Sequence, residues 1–122
     1  IEERKKGTER LLALAQPPDA IFATNDAAAK GAMQAIKEAG LKIPKDIAVV
    51  GFSNWFFSVL LEPPLTSVDQ PGFEMGQEAA KLLIRQIEFK SKDNQDPVPE
   101  RKILKTRLIV RESSLKSGKN NR

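Results

Sequence analysis

The 122-residue chain contains no cysteine, no histidine and no tyrosine, and only one tryptophan, Trp55. Each absence removes chemistry. Without thiols there are no disulfides and no thiolate nucleophile; without imidazole the commonest general base is gone, and the usual zinc ligands go with the pair. No run approaches the roughly 18 to 20 apolar residues that a membrane helix needs, so the sequence reads as soluble with no membrane partner. No glycine-rich phosphate loop is present. Neither a metal nor a cofactor is expected, and catalysis is not expected either. Ser53, in Gly51-Phe52-Ser53-Asn54-Trp55, begins like a nucleophile elbow, but Trp55 stands where that turn needs glycine and no histidine can take the proton. Asp26 and Asp69, the carboxylates one would pair for glycoside hydrolysis, are each explained by a helix cap or a strand end.

Apolar residues make up 40% of the chain and charged residues 30%, too apolar for wholesale disorder and about the size of one domain. The chain begins at Ile1 and runs into Glu2, Glu3, Arg4, Lys5 and Lys6, which reads as a piece of a longer protein. Charge is uneven: residues 1–89 hold 10 Lys and Arg against 12 Asp and Glu, and residues 90–122 hold 10 against 4. The basic residues Lys102, Lys105, Arg107 and Arg111 alternate with Ile103, Leu104, Leu108, Ile109 and Val110. A nucleic-acid patch is one reading. Strands with a solvated face is the one preferred, because no helix-turn-helix, finger or basic helix occurs in this stretch.

Periodicity predicts a helix from Arg4 to Ala15, stopped by Pro17-Pro18. A short strand, Asp19 to Thr24, then ends at Asn25-Asp26, a pair that can cap the helix predicted over 26–39; Asp26 is the preferred cap, and Gly40 closes the helix in a left-handed turn. Ile47 to Phe52 reads as a second strand, so uniformly apolar that burial on both faces is expected, and strand–helix–strand makes a right-handed parallel unit. A third strand covers Leu65 to Val68. A helix follows from Pro71 with Phe73, Leu83 and Ile87 on one face, then a polar loop over 90–100, strands at Ile103–Lys105 and Leu108–Val110, and a frayed tail.

In parallel α/β sheets ligands sit beyond the carboxyl ends of the strands. Here those ends carry Asn25-Asp26, Ser53-Asn54-Trp55 and Asp69-Gln70. Amides, hydroxyls and carboxylates offer donors and acceptors together, which suits a polyhydroxylated ligand such as a sugar or nucleoside. Asn25, Ser53, Asn54, Trp55 and Gln70 are therefore the candidate ligand residues. Each has a plainer reading beside this one: a cap for Asn25 or Gln70, a turn for Ser53 and Asn54, and core filler or subunit contact for Trp55. The apolar run after Trp55, with Phe56, Phe57, Leu60 and Leu61, exceeds what one surface turn needs; the core or a second copy must cover it, and it is a candidate two-fold dimer interface.

Three stretches, PDAIFATNDAAAKGAMQAIKEAGLKIPKDIAVVGFSN, PPLTSVDQPGFEMGQEAAKLL and RLIVRESS, occur in this order over about residues 4 to 114. On them the chain resembles the C-terminal part of the lac repressor and galactose repressor family of bacterial transcription regulators. Sugar-binding proteins of transport systems share the first stretch and remain the alternative. The resemblance implies a truncated periplasmic-binding-protein-like α/β lobe, a three-layer α/β/α arrangement around a parallel sheet. It implies residues 1–70 in the C-terminal lobe, 71–89 as a crossover helix of the N-terminal lobe, 90–112 as loop and returning strands, and 113–122 as a disordered tail. It further implies a cytoplasmic homodimer that binds operator DNA through a helix-turn-helix domain outside this chain, and a small-molecule effector held between two lobes. Asn25 matches an effector-contacting position of the family, and Gln70 matches a cleft residue near its hinge. Ser53 departs from it, falling where many members carry an aspartate that grips a ligand hydroxyl.

Overall fold

The computed structural model describes residues 2–116 and divides into two compact units, Ile1–Asp69 with Arg107–Arg122, and Gln70–Thr106. In the first unit the order is α1 (Glu2–Leu12), β1 (Ala20–Phe22), α2 (Asp26–Glu38), β2 (Ala48–Phe52), a 3-10 turn (Ser58–Leu60), β3 (Thr66–Asp69) and, on return, β4 (Arg107–Ile109). The four strands form one sheet in the order β1-β2-β3-β4. The first three run parallel, as the strand–helix–strand pattern predicts, and β4 pairs antiparallel with β3. The β2–β3 crossover is made without an α-helix: residues 53–65 form it around the 3-10 turn, about the dozen residues a parallel connection requires.

The core gathers under α2, whose small residues Ala29, Ala32 and Ala35 bring Met33 and Ile36 close to Val49 of β2 and to Leu65 just before β3. Gly40, at φ 77°, takes the left-handed turn after α2 that favours glycine. Helix α1 packs on α2. There Lys5 and Glu38 pair at 2.7 Å, a contact that raises the Lys5 ammonium and lowers the Glu38 carboxyl from their ordinary pKa values, chiefly through their shared hydrogen bond. The Glu38 side chain is half exposed, so the pair is a minor contributor to stability.

Strand β2 is not buried throughout. Val49 and Gly51, on one face, are buried, whereas on the opposite face only the small Ala48 is covered and Val50 and Phe52 are half-buried. Ala20 and Phe22 of β1, in register with Ala48 and Val50, share the other face, and Phe22 is 64% exposed. Two equal truncations should therefore differ: Val49→Ala should cost about 2 kcal/mol and Val50→Ala about 1 kcal/mol or less in urea denaturation. Equal losses would contradict the facing described here.

The second unit is built on α3 (Gly72–Asp93), which runs four residues past the predicted end at Phe89 and stops at Asn94, in the left-handed conformation with φ 50°. Its Lys90 and Lys92 lie in the last turn, where a cation suits the helix dipole. Phe73, Leu83 and Ile87 are exposed, as the face predicts. The segment 90–106 groups with α3 rather than with the returning strand. No strand forms at Ile103–Lys105; the only paired residues there are Arg107–Ile109.

The tail expected to be disordered from 113 is ordered where it is described. Glu112–Ser114 form a 3-10 turn, and Ser113 is fully buried, donating to Val49 O at 2.6 Å and accepting from Thr66 N at 2.8 Å. A buried serine bridging two strands cannot belong to a frayed end. The remainder of that tail, residues 117–122, lies outside the described residues. No helix is long and apolar enough to cross a membrane among the described residues.

Candidate functional site

Register decides which side chains share the carboxyl edge of the sheet. Phe22, Val50 and Thr66 stand side by side on β1, β2 and β3. Asn25, Ser53 and Asp69 each follow three residues later, Asp69 as the last residue of β3, Ser53 just beyond β2 and Asn25 in the turn between β1 and α2. Gln70, the predicted third member, is the next residue and the first of the second unit. Within the first unit Asp69 takes that place.

Asn25, not Asp26, caps α2. Its backbone is extended (φ −156°) and its Oδ1 accepts from Ala28 N at 2.8 Å. Asp26 is instead buried and serves as the anchor of the loop after β2. Its Oδ2 accepts from Trp55 N at 2.8 Å and from the Ser58 hydroxyl, and its Oδ1 accepts from Ser67 Oγ at 2.6 Å. A carboxylate this deep survives only because three donors replace the water it lost. Gly51 makes the room: a Cβ there would stand 2.2 Å from Asp26 Oδ1.

That anchoring holds an unusual backbone. Ser53 has φ 107° and Asn54 has φ 50°, the left-handed region that non-glycine residues enter at a cost of about 1 to 3 kcal/mol. Ser53 N donates to Val68 O at 2.9 Å, while its hydroxyl makes no hydrogen bond among the described residues. Asn54 N donates to Ser67 Oγ at 2.9 Å, and its amide is engaged at both ends: Nδ2 donates to Asp69 Oδ1 at 3.0 Å and Oδ1 accepts from Arg111 Nη2 at 2.8 Å. Arg111 also donates to Leu65 O at 2.7 Å, and is half-buried rather than part of a solvated basic face.

Trp55, 54% exposed, meets Phe57 edge-on with ring centroids 5.7 Å apart. Lys30 Nζ lies 5.7 Å from the centre of the Phe57 ring. Of the four predicted interface residues, Phe56 and Leu60 are 83% and 76% exposed, Phe57 is half-buried, and Leu61 packs against the core. Among the described residues no three acidic, histidine or cysteine side chains come together as a metal site. Asp26, Ser67 and Arg111 hold the loop after β2 in place, a role that pattern reading misses. Asp26 is hidden beside another capping residue, Ser67 by its ordinary place in a strand, and Arg111 by its alternation with apolar neighbours.

A parallel sheet with polar side chains converging on its carboxyl edge defines an α/β binding domain. Residues 1–114 match the family model described as a periplasmic binding protein-like domain. The chain belongs to that family, and within it to the lac repressor and galactose repressor type. It is 41% identical over 88 residues to the HTH-type transcriptional repressor CytR of Escherichia coli strain K12, covering 72% of this chain and 26% of that protein. It is 40% identical over 121 residues to the ribose operon repressor of Halalkalibacterium halodurans, covering 99% of this chain and 35% of that protein. The chain thus spans about a third or less of the curated relatives it matches. Among solved structures, a LacI family transcriptional regulator from Enterococcus faecium with bound ribose aligns with TM-score 0.78 at 35% identity, over 94% of this chain and 40% of that one. The transcriptional regulator CelR in complex with cellobiose aligns with TM-score 0.80 at 36% identity, over 93% and 33%.

Proposed function

We propose that this chain is the effector-sensing and dimerisation part of a DNA-binding transcriptional regulator, and that it binds rather than transforms its ligand. The ligand is a small polar molecule, a sugar or nucleoside, held in a cleft between two lobes, and its binding controls the grip on operator DNA of a helix-turn-helix domain outside this chain. The observation that carries this reading is the position of Asn25, Ser53 and Asp69 at or just beyond the carboxyl ends of neighbouring parallel strands, which brings an amide, a hydroxyl and a carboxylate to that edge. The first unit is the C-terminal lobe in this reading. Gln70 and α3 belong to the other lobe, and the protein works as a cytoplasmic homodimer with Phe56 and Leu60 at the contact. The sugar-bound regulators that it resembles support the ligand class.

Ligand selection is differential: an effector preferring one lobe arrangement shifts the population toward it, and the shift reaches the DNA-binding heads as a coupling free energy. The test is a thermal-shift screen of ribose, cellobiose and nucleosides on the intact regulator. A true ligand at a hundredfold excess over Kd raises apparent stability by about 2.7 kcal/mol. Asn25 then separates cap from contact. Asn25→Ala should cost about 1 kcal/mol of stability, whereas Asn25→Asp keeps the cap within about 0.5 kcal/mol. Because Asn25→Asp removes the Nδ2 donor, it should still weaken ligand binding about tenfold. A screen in which no sugar or nucleoside shifts the melting temperature would end this reading.

A further inference from the structure

We propose that Asn54 is the positioning residue of this site: a relay through which the two chain segments that leave for the second unit and return from it hold the loop carrying Ser53. The assignment rests on the functional reading above and deepens it, since it removes Asn54 from the ligand contacts and gives it a different task.

Three observations carry the relay. Asp69, which accepts from Asn54 Nδ2, is the last residue of β3 and the last before the chain enters the second unit. Arg111, which donates to Asn54 Oδ1, lies just beyond β4, the first element after the chain re-enters. Asp69 pairs with Arg107 across the β3–β4 ladder, so both crossing segments are joined to each other and then to one amide. The guanidinium is well suited to this. Its planar fork fixes Leu65 O and Asn54 Oδ1 at once, which a lysine ammonium cannot do in the same geometry. The amide side chain is equally specific, because one end must accept and the other must donate.

The object held is strained. Ser53 and Asn54 both occupy positive φ, so the loop keeps this shape only while its surroundings over-determine it. Asp26 fixes the far side through Trp55 N and, through Ser67, the Asn54 amide nitrogen. The relay fixes the near side. A displacement of either crossing segment pulls on Asn54 and re-aims Ser53, and by linkage a ligand gripping Ser53 biases the crossing segments in return.

Trp55 follows Asn54 directly and is the only tryptophan of the chain, so its fluorescence anisotropy reads the loop without any ligand. Time-resolved anisotropy on the full chain should show loss of amplitude from the slowly decaying component to a fast one in Arg111→Lys, with far-UV circular dichroism unchanged. Asn54→Gly, which keeps the positive φ accessible but deletes the amide, should show the same loss. The double variant should lose no more than either alone, the non-additivity expected of one shared contact. Asp69→Asn retains an acceptor for Asn54 Nδ2 and should keep the wild-type decay; Asn54→Gly provides the readout if Arg111→Lys fails to fold. Wild-type anisotropy in Arg111→Lys, a summed loss in the double variant, or loss in Asp69→Asn would each overturn the relay. The ligand screen is a separate measurement: if no sugar or nucleoside binds, the functional reading falls while the anisotropy series still decides how the loop is held.

Discussion

Gly51→Ala should lose about 3 to 4 kcal/mol, read as a shift of the urea midpoint at unchanged slope. One added methyl group at Gly51 would stand 2.2 Å from Asp26 Oδ1, 3.0 Å from Leu65 Cδ2 and 3.3 Å from Ala29 Cβ. Overpacking a core typically costs about 1 to 3 kcal/mol. Here the nearest atom is a buried carboxylate oxygen whose retreat also stretches its hydrogen bond to Ser67, which adds about another 1 kcal/mol or more. A strand interior ordinarily loses stability from glycine and gains it from alanine. The sign is reversed because the missing side chain is what gives Asp26 its place. A variant as stable as the parent would show that the carboxylate can move freely, and with it the loop it anchors.

Asp26→Ala should be the other large loss, about 3 to 5 kcal/mol, in the range seen when a buried group leaves its partners unpaired. Three donors lose their acceptor at once: Trp55 N, the fully buried Ser58 hydroxyl and the fully buried Ser67 hydroxyl. The hydroxyls can turn toward other acceptors, but the Trp55 amide is fixed by the backbone. Asp26→Asn keeps the shape and one carbonyl oxygen, so it should cost about half as much. The comparison by chemical denaturation isolates the hydrogen bonds from the volume. An Asp26→Asn variant as stable as the parent would mean that packing, not donor satisfaction, is what Asp26 supplies.

These two residues mark where sequence pattern stops being informative. The parallel order of β1, β2 and β3 was legible because two apolar runs of strand length flank an alanine-rich helix, and that arrangement has essentially one right-handed solution. The placement of Asn25 and Ser53 after the ends of β1 and β2 was legible for the same reason. What pattern could not rank was Asn25 against Asp26, since both side chains cap helices well. Burial separates them, and burial depends on Gly51, twenty-five residues away. Residues 53–65 have no period to read, so the division of Phe56, Phe57, Leu60 and Leu61 into exposed and core-facing side chains appears only in three dimensions. Arg111 was read as solvated because its neighbours alternate, yet its guanidinium turns inward to oxygen atoms on β2's loop and on Leu65. The early end set for α3 at Phe89 followed the polarity of the next residues, which are polar because that helix is solvated, not because it stops.

Ser53 occupies a privileged position on this scaffold. Its backbone is dictated by neighbours on both sides, while its own hydroxyl supports nothing else among the described residues. Chemistry at that one position can therefore be exchanged, hydroxyl for carboxylate or amide, without dismantling the frame beneath it. A single altered codon there exchanges the exposed group, and the price in foldedness would be small.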